Sequence, residues 1–317
     1  MNIVILDGYT LNPGDQDWAP VNSLGKVTVY DRSSPEQIVE RAIDADAVLV
    51  NKVILTESIL SQLPRLKYIG VCATGYNNVD INSTQKHGIV VTNVKAYGPL
   101  SVAQHTFALL LALVNHIELH SQSVMNGDWS ASADFCYWKT PLVELAGKTM
   151  GLVGLGDIGS HVAKIASAFG MKVIAYRKNP EQTHNTEIEM VSLEHLFRQS
   201  DVISLHCPLT EETKNLINAE RLSWMKPTSY LLNTGRGPLI VEEDLANALK
   251  NKWIAGAGLD VLSAEPPKAD NPLFAVPNCL ITPHIAWASF ESRKRLLQMV
   301  AENLAAFIKG EAINVVN

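Results

Sequence analysis

Short apolar runs alternate with longer polar stretches over the first part of the chain. Ile3 to Leu6, Val27 to Tyr30, Ala47 to Val50, Tyr68 to Val71 and Val90 to Thr92 read as strands, and the segments between them, such as Ser34 to Ile43 and Glu57 to Leu63, are helix-compatible. Strands alternating with helices predict a parallel α/β sheet, complete within roughly the first 95 residues. Beyond a break at Gly98-Pro99, the spacing of Val102, Phe107, Leu110, Leu111 and Val114 predicts one long amphipathic helix over Ser101 to Ser123. Asn126 to Leu145 has no clear period yet carries Trp129, Phe135, Tyr137 and Trp138, which predicts a loop held against another surface such as a second subunit. A second strand and helix alternation follows. Thr149 to Val153, Val173 to Tyr176, Val202 to His206, Tyr230 to Asn233, Ala257 to Val261 and Cys279 to Thr282 read as strands, with Ile158 to Phe169 as a helix after the first. Phe290 to Lys309 predicts a last amphipathic helix that must return to the first domain. No internal repeat or low-complexity tract interrupts this order.

The densest local signal is Gly151-Leu-Val-Gly-Leu-Gly-Asp-Ile-Gly159, placed at a strand-to-helix turn. Gly154 is expected to permit the tight bend, Gly156 to let backbone N–H groups approach a pyrophosphate, and Gly159 to let helix and strand pack closely, with Asp157 and Ile158 opening the helix. The turn therefore predicts a dinucleotide, NAD or NADP. An NAD site usually places an acid at the end of the second strand, where this chain has Tyr176-Arg177-Lys178. Either the two cations pair with the 2′-phosphate of NADP or they solvate a loop.

Bulk composition narrows the classes. At 317 residues, 47% hydrophobic and 18% charged, the chain is globular material long enough for two domains. A formal net charge of −6 and a pI near 5.9 give no general attraction to nucleic acid or to an anionic membrane. The N-terminus has no secretory signal, and the apolar run Phe107 to Val114 is too short to span a bilayer, so a cytoplasmic protein is expected. Cys72, Cys136, Cys207 and Cys279 are widely spaced and the histidines are not clustered, which points to reduced, mostly buried thiols and no metal.

Three polar stations each follow the carboxyl end of an expected strand, where ligands bind in open α/β sheets. Arg236, after Asn233-Thr-Gly, either forks onto a carboxylate or closes a helix N-terminus at the surface. Asp260 and Glu265 flank a passage braced by Pro266 and Pro267, and either cap a turn or orient a base. His284, after Thr282-Pro, is expected in an extended loop, where a neighbouring glutamate would hold its proton ready for delivery. Beside a dinucleotide turn, the three together suit an acid, its orienter and a carboxylate anchor.

These segments carry a resemblance. Gly154-Leu-Gly-Asp-Ile-Gly159, Asn233-Thr-Gly-Arg236-Gly with Glu242-Glu-Asp-Leu-Ala, Gly258-Leu-Asp-Val-Leu-Ser-Ala-Glu265-Pro and Thr282-Pro-His284 resemble, in order along the whole chain, the D-2-hydroxyacid dehydrogenases. Asp134-Phe-Cys-Tyr-Trp138, the run from Glu265 to Leu273 and His284-Ile-Ala-Trp-Ala look like the glycerate dehydrogenase (hydroxypyruvate reductase) branch. The resemblance implies an α/β fold of two Rossmann-like domains with parallel sheets and an interdomain cleft. The substrate domain would be 1–98 plus 287–317 and the dinucleotide-binding domain 99–286. It implies Arg236 as substrate anchor, His284 as acid/base and Glu265 as its partner. It also implies cofactor contacts from Cys207, Pro208, Thr213, Thr234 and Asp260, and substrate contacts from Thr74, Gly75 and Tyr76; Lys52, after the strand ending at Val50, either faces the same cleft and touches substrate or is an exposed surface lysine. The expected partners are a small 2-keto or 2-hydroxy acid and a second copy of the chain, dimerising through the Ser101 to Ser123 region. Departures from the family are Arg177 where many members carry an acid and Gln104 where many carry Glu. Dehydrogenases for lactate, glyoxylate or phosphoglycerate, and dinucleotide-binding co-repressors, share the scaffold. The end at Asn317, with no appended regulatory domain, speaks against the larger phosphoglycerate enzymes, and the retained Arg, Glu and His against a pure binder.

Overall fold

The computed structural model describes residues 1–179 and 188–317. Its strands are β1 (Asn2–Ile5), β2 (Lys26–Val29), β3 (Ala47–Val50), β4 (Tyr68–Val71), β5 (Val90–Thr92), β6 (Thr149–Val153), β7 (Lys172–Tyr176), β8 (Glu189–Met190), β9 (Val202–Leu205), β10 (Tyr230–Asn233), β11 (Gly256–Leu259) and β12 (Cys279–Ile281). Its helices are α1 (Ala19–Asn22), α2 (Ile38–Ala42), α3 (Glu57–Leu60), α4 (Ile81–Lys86), α5 (Pro99–Asn115), α6 (Ile117–Met125), α7 (Asp157–Ala168), α8 (Leu193–Gln199), α9 (Ala219–Trp224), α10 (Glu242–Lys250) and α11 (Phe290–Ile308). Contacts divide the chain into two units, Met1–Gly98 with Trp287–Asn317, and Pro99–Ala286.

The first unit is a parallel sheet in the order β2-β1-β3-β4-β5. Val4, Val48, Ile69 and Val91 fill one face, and Ile3, Ile5, Leu49 and Tyr68 the other, as the two-residue period of a strand requires. The second face is closed by α11, whose Leu296, Leu297, Val300 and Leu304 are buried and whose N-cap Ser289 accepts the Ser292 N–H.

The second unit is a parallel sheet in the order β12-β11-β10-β9-β6-β7-β8. The order reverses between β6 and β9, and that switch point is where such sheets bind ligands. Helices α5 and α7 pack on one face through Ala103, Phe107, Leu110, Val162 and Ala166. The opposite face is covered by α8, α9 and α10 through Leu196, Phe197, Leu222, Leu245 and Leu249. Helix α5 sits close to the sheet because β11 is glycine-rich: a Cβ on Gly258 would lie 3.0 Å from the Leu109 Cβ.

Two expectations need correction. The single helix expected over Ser101 to Ser123 is two helices, bent by 56° at His116, which takes a left-handed φ of 47°. No Gly or Pro marks the break, and the reason is burial: α5 hides a broad apolar face, whereas only Ser123 is buried in α6. The thiols are not mostly buried either. Cys72 is, but Cys136 is exposed and Cys207 and Cys279 are half-buried, and all four are free. Among the described residues, no single helix is long and apolar enough to cross a membrane, and no group of three or more His, Cys, Asp or Glu is placed to hold a metal ion.

Candidate active site

At the end of β6 the three fingerprint glycines occupy three distinct geometries. Gly154 has φ +99, and a Cβ there would lie 2.7 Å from the backbone of His206 and Cys207 at the end of β9, so only glycine fits between the two switch-point loops. A Cβ on Gly159 would lie 2.4 Å from the Gly154 carbonyl oxygen, which keeps α7 tight against the turn. Above Gly156, by contrast, a Cβ would meet nothing within 4 Å. Gly156 is also the N-cap of α7, which has no side-chain cap. The first bond into the helix is Ser160 N–H to the Gly156 carbonyl, so the N–H groups of Asp157, Ile158 and Gly159 precede the helical ladder. Open space over an uncapped helix N-terminus fits a dinucleotide pyrophosphate. Beside the turn, burial pushes the His206 imidazole down to about 4, so it contributes shape and no charge at pH 7.

The three stations stand at the ends of the neighbouring strands β10, β11 and β12. After β10, buried Asn233 closes the loop that presents Arg236: its amide donates to the Arg236 carbonyl and its oxygen accepts the Gly235 N–H. At Gly237 a Cβ would overlap the Leu262 carbonyl oxygen at 1.9 Å, so the Arg236 loop lies directly on the passage that follows β11. The Arg236 side chain is exposed, its guanidinium donating to the Gly235 carbonyl.

Asp260, immediately after β11, is buried. Its Oδ1 accepts the Thr282 hydroxyl at 2.6 Å and the Ile285 N–H at 2.9 Å, and its Oδ2 accepts the Ala286 N–H at 2.8 Å. This carboxylate ties down the loop after β12. In that loop His284 is left-handed, with φ 56°, rather than extended as the sequence leads one to expect. Its N–H donates to the carbonyls of Asp260 and Thr282. A non-glycine residue pays about 1–3 kcal/mol for such a conformation, which survives only where surrounding bonds over-determine it. The turn aims the imidazole at Glu265, with Nδ1 2.6 Å from Oε2, while Oε1 accepts the Leu262 N–H. The pair is about one-third exposed.

The remaining expected residues fall into two sets. In the second unit, Tyr176 and Arg177 are half-buried at the end of β7. Lys178 is exposed and donates to Glu212, 2.6 Å from Oε1. Cys207 and Pro208 follow β9. Burial pushes the Cys207 thiol up to about 11, so it is no nucleophile at neutral pH. The Thr213 hydroxyl donates to the Pro208 carbonyl at 2.6 Å and accepts the Thr210 N–H, so here it serves the turn. Thr234 is buried against Thr106, 3.0 Å between hydroxyl oxygens. In the first unit, Thr74, Gly75 and Tyr76 form the loop after β4, where the Thr74 hydroxyl donates to the Val94 carbonyl. Lys52 is exposed after β3, its backbone N–H held by the Asp7 carboxylate.

The sequence pattern gives Asn233 and Thr282 a place in their motifs but no role of their own, and does not single out His105 and Thr106. The signal in the last pair is two adjacent polar residues in an apolar helix, and Thr106 is fully buried. His105 Nε2 lies 2.9 Å from the Thr282 hydroxyl.

Comparison with known proteins follows the same line. Residues 107–286 match the D-isomer specific 2-hydroxyacid dehydrogenase, NAD binding domain. The chain is 49% identical over 322 residues to a hydroxypyruvate reductase of Blautia hydrogenotrophica, with 100% of each covered. It is 44% identical over 285 residues to a glycerate dehydrogenase of Methylorubrum extorquens, with 89% of each covered. Its fold superposes with a TM-score of 0.84 on an acyclic imino acid reductase solved in complex with NADPH and D-Arg, 32% identical and with 100% of each chain covered.

Proposed function

Because the chain belongs to the D-isomer specific 2-hydroxyacid dehydrogenases, and is thereby a nicotinamide-dependent oxidoreductase, we propose that it interconverts hydroxypyruvate and D-glycerate, with Arg236, Glu265 and His284 as its working side chains. The acid/base role is carried by the 2.6 Å contact between His284 Nδ1 and Glu265, held at the end of a strand by the Asp260 clamp, and the substrate by the 49% identity to a hydroxypyruvate reductase. When bound, the reduced nicotinamide supplies a hydride to the 2-carbon of the keto acid. Gly154, Gly156, Asp157, Ile158 and Gly159 would hold the pyrophosphate of that cofactor.

As the keto oxygen gains negative charge, it needs a proton and a positive field. With Nδ1 taken by Glu265, the protonated imidazole of His284 gives its Nε2 proton to that oxygen. Glu265, accepting from Nδ1, keeps the ring oriented so that Nε2 faces the substrate oxygen. The guanidinium of Arg236 pairs with the substrate carboxylate through its planar fork and polarises the carbonyl. In the reverse direction the neutral imidazole takes the hydroxyl proton. A panel of hydroxypyruvate, glyoxylate, pyruvate and phenylpyruvate tests the substrate. Hydroxypyruvate is expected to give the highest kcat/KM, and a clear preference for pyruvate or phenylpyruvate would reassign the substrate.

On the cofactor, the reading is NADPH over NADH. Arg177 and Lys178 follow β7 together, and the exposed Lys178–Glu212 pair, of a kind that contributes about 0–1 kcal/mol, is weak enough for a 2′-phosphate to displace, so both cations are assigned to it. Arg177→Asp should shift the NADPH to NADH ratio of kcat/KM toward NADH by roughly 10- to 100-fold, the loss of a charge-assisted hydrogen bond to the 2′-phosphate. An unchanged ratio removes Arg177 from the selection.

We read the working form as a cytoplasmic homodimer. Helix α6 and the irregular segment after it leave Ile117, Met125, Trp129, Phe135 and Trp138 exposed, Phe135 at 87%. The segment is nonetheless ordered against α6: Tyr137 shares a hydrogen bond with Ser123 and Lys139 pairs with Asp128. An ordered apolar surface of this kind is covered by a partner. Light scattering should give twice the chain mass for the wild type and the chain mass for Phe135→Asp/Trp138→Asp. A monomeric wild type contradicts the assignment.

A further inference from the structure

Two adjacent residues of α5 touch two different strand-end loops of the second unit. His105 reaches the loop after β12, with Nε2 2.9 Å from Thr282 Oγ1 and 3.5 Å from Asp260 Oδ1. Thr106 reaches the loop after β10, with its hydroxyl oxygen 3.0 Å from that of Thr234. The directions of these bonds follow from the count of protons. Thr282 has one hydroxyl proton and gives it to Asp260 at 2.6 Å, so what it receives from His105 is an N–H, which places the His105 proton on Nε2. Thr106 gives its proton to the Val102 carbonyl at 2.8 Å, so Thr234 is the donor to Thr106. One turn of a helix thus holds the hydroxyl that completes the Asp260 clamp under His284, and the residue two positions before Arg236.

We propose that His105 and Thr106 are positioning residues for the reduction, setting the loop that presents His284 in register with the loop that presents Arg236. Helix α5 can do this because it is rigidly seated: Leu109 and Leu113 press on β11 where Gly256 and Gly258 carry no side chain, and Phe107 stacks on Phe169 at 5.4 Å. The chemistry demands such control, since a misplacement of about 1 Å at reacting groups slows turnover roughly 100-fold. His284 stands in a left-handed conformation that depends on its clamp. Without the His105 donor, the Thr282 hydroxyl can turn away from Asp260. The Ile285 and Ala286 N–H groups still hold the carboxylate, so the loop loosens without collapsing.

The inference rests on the roles given to His284 and Arg236, and its test separates the two. The set is His105→Leu, His105→Gln, Thr106→Val and Thr282→Val, with His284→Ala alongside. Kinetics are measured with hydroxypyruvate, and dissociation constants for NADH and NADPH by nicotinamide fluorescence. His105→Leu should lower kcat about 10- to 100-fold while KM and both dissociation constants stay within roughly twofold. His105→Gln keeps an N–H donor and should recover most of that loss. Thr106→Val acts on the Arg236 loop and should raise KM more than it lowers kcat. Thr282→Val removes the His105 link from the other side, so it should reproduce His105→Leu and stands in if that variant does not fold. Wild-type kcat in both His105→Leu and Thr282→Val, or a Gln variant as impaired as Leu, overturns the positioning role while leaving the His284 reading intact. An active His284→Ala overturns the reading beneath it.

Discussion

Replacing His284 with Ala should slow hydroxypyruvate reduction by about 10²- to 10⁴-fold, the range that a positioned general acid contributes, while the dissociation constants for NADH and NADPH stay close to those of the wild type. The separation of the two readouts follows from structure. His284 belongs to the loop after β12, at the edge of the sheet, whereas the glycine turn follows β6 and is braced by the β9 end. Removing the imidazole leaves Asp260 with its Thr282, Ile285 and Ala286 donors, so the loop keeps its course. It also removes the side chain but not the left-handed backbone, which alanine tolerates no better. A stability change of more than about 1 kcal/mol is therefore not expected. Glu265→Gln should fall between wild type and His284→Ala, since an amide oxygen still accepts from Nδ1 but no longer balances the imidazolium charge. Equal losses of turnover and of dinucleotide affinity in His284→Ala would take the residue out of acid/base chemistry.

The second large effect is expected at Arg236. Arg236→Lys keeps the charge but loses the fork, so one bidentate, charge-assisted contact to the substrate carboxylate becomes a single contact. Such a bond is worth about 1.5–3 kcal/mol, which at about 1.4 kcal/mol per decade lowers kcat/KM by roughly 10- to 150-fold. The change should fall on KM more than on kcat, because the carboxylate contact is the same in substrate and transition state and lysine keeps the positive charge that polarises the carbonyl. The loop should keep its shape in the variant, because Asn233 closes it through backbone atoms of Gly235 and Arg236 and Gly237 seats it on Leu262. A Lys variant with wild-type Michaelis behaviour would refute the anchoring role.

The residue pattern makes short-range features legible and hides long-range ones. The strands from Ala47 to Val50, Tyr68 to Val71, Val90 to Thr92, Thr149 to Val153 and Tyr230 to Asn233 are found where their apolar runs place them, because a buried parallel strand needs little but consecutive apolar side chains. The glycine turn is visible because its requirement is written in missing side chains. Helices α8, α9 and α10 are not singled out by the pattern, being short and half-exposed. The break at His116 has no local marker, since it reflects which face of each helix is buried. The candidate active site divides in the same way. Arg236, Asp260, Glu265 and His284 are conspicuous as polar residues just past apolar strands. What Asp260 does is not, because its partners come from a loop some 25 positions later in the sequence and because a buried carboxylate that ties a loop reads like any turn cap. The backbone of His284 illustrates the limit. Thr-Pro before it suggests extension, and only the clamp from Asp260 makes the left-handed turn affordable. The Lys178 to Glu212 pair, joining the ends of two strands that are not neighbours in the sheet, is likewise invisible in a list of charges.

One group, His284 held by Glu265, gives the proton in reduction and takes it in oxidation. The most direct measurement is the pH dependence of kcat/KM in both directions, for hydroxypyruvate and for D-glycerate. Reduction needs the protonated imidazole and should fall as pH rises; oxidation needs the neutral imidazole and should rise through the same midpoint. Both limbs should vanish in His284→Ala. Limbs with unrelated midpoints, or limbs that persist without the imidazole, would contradict the account.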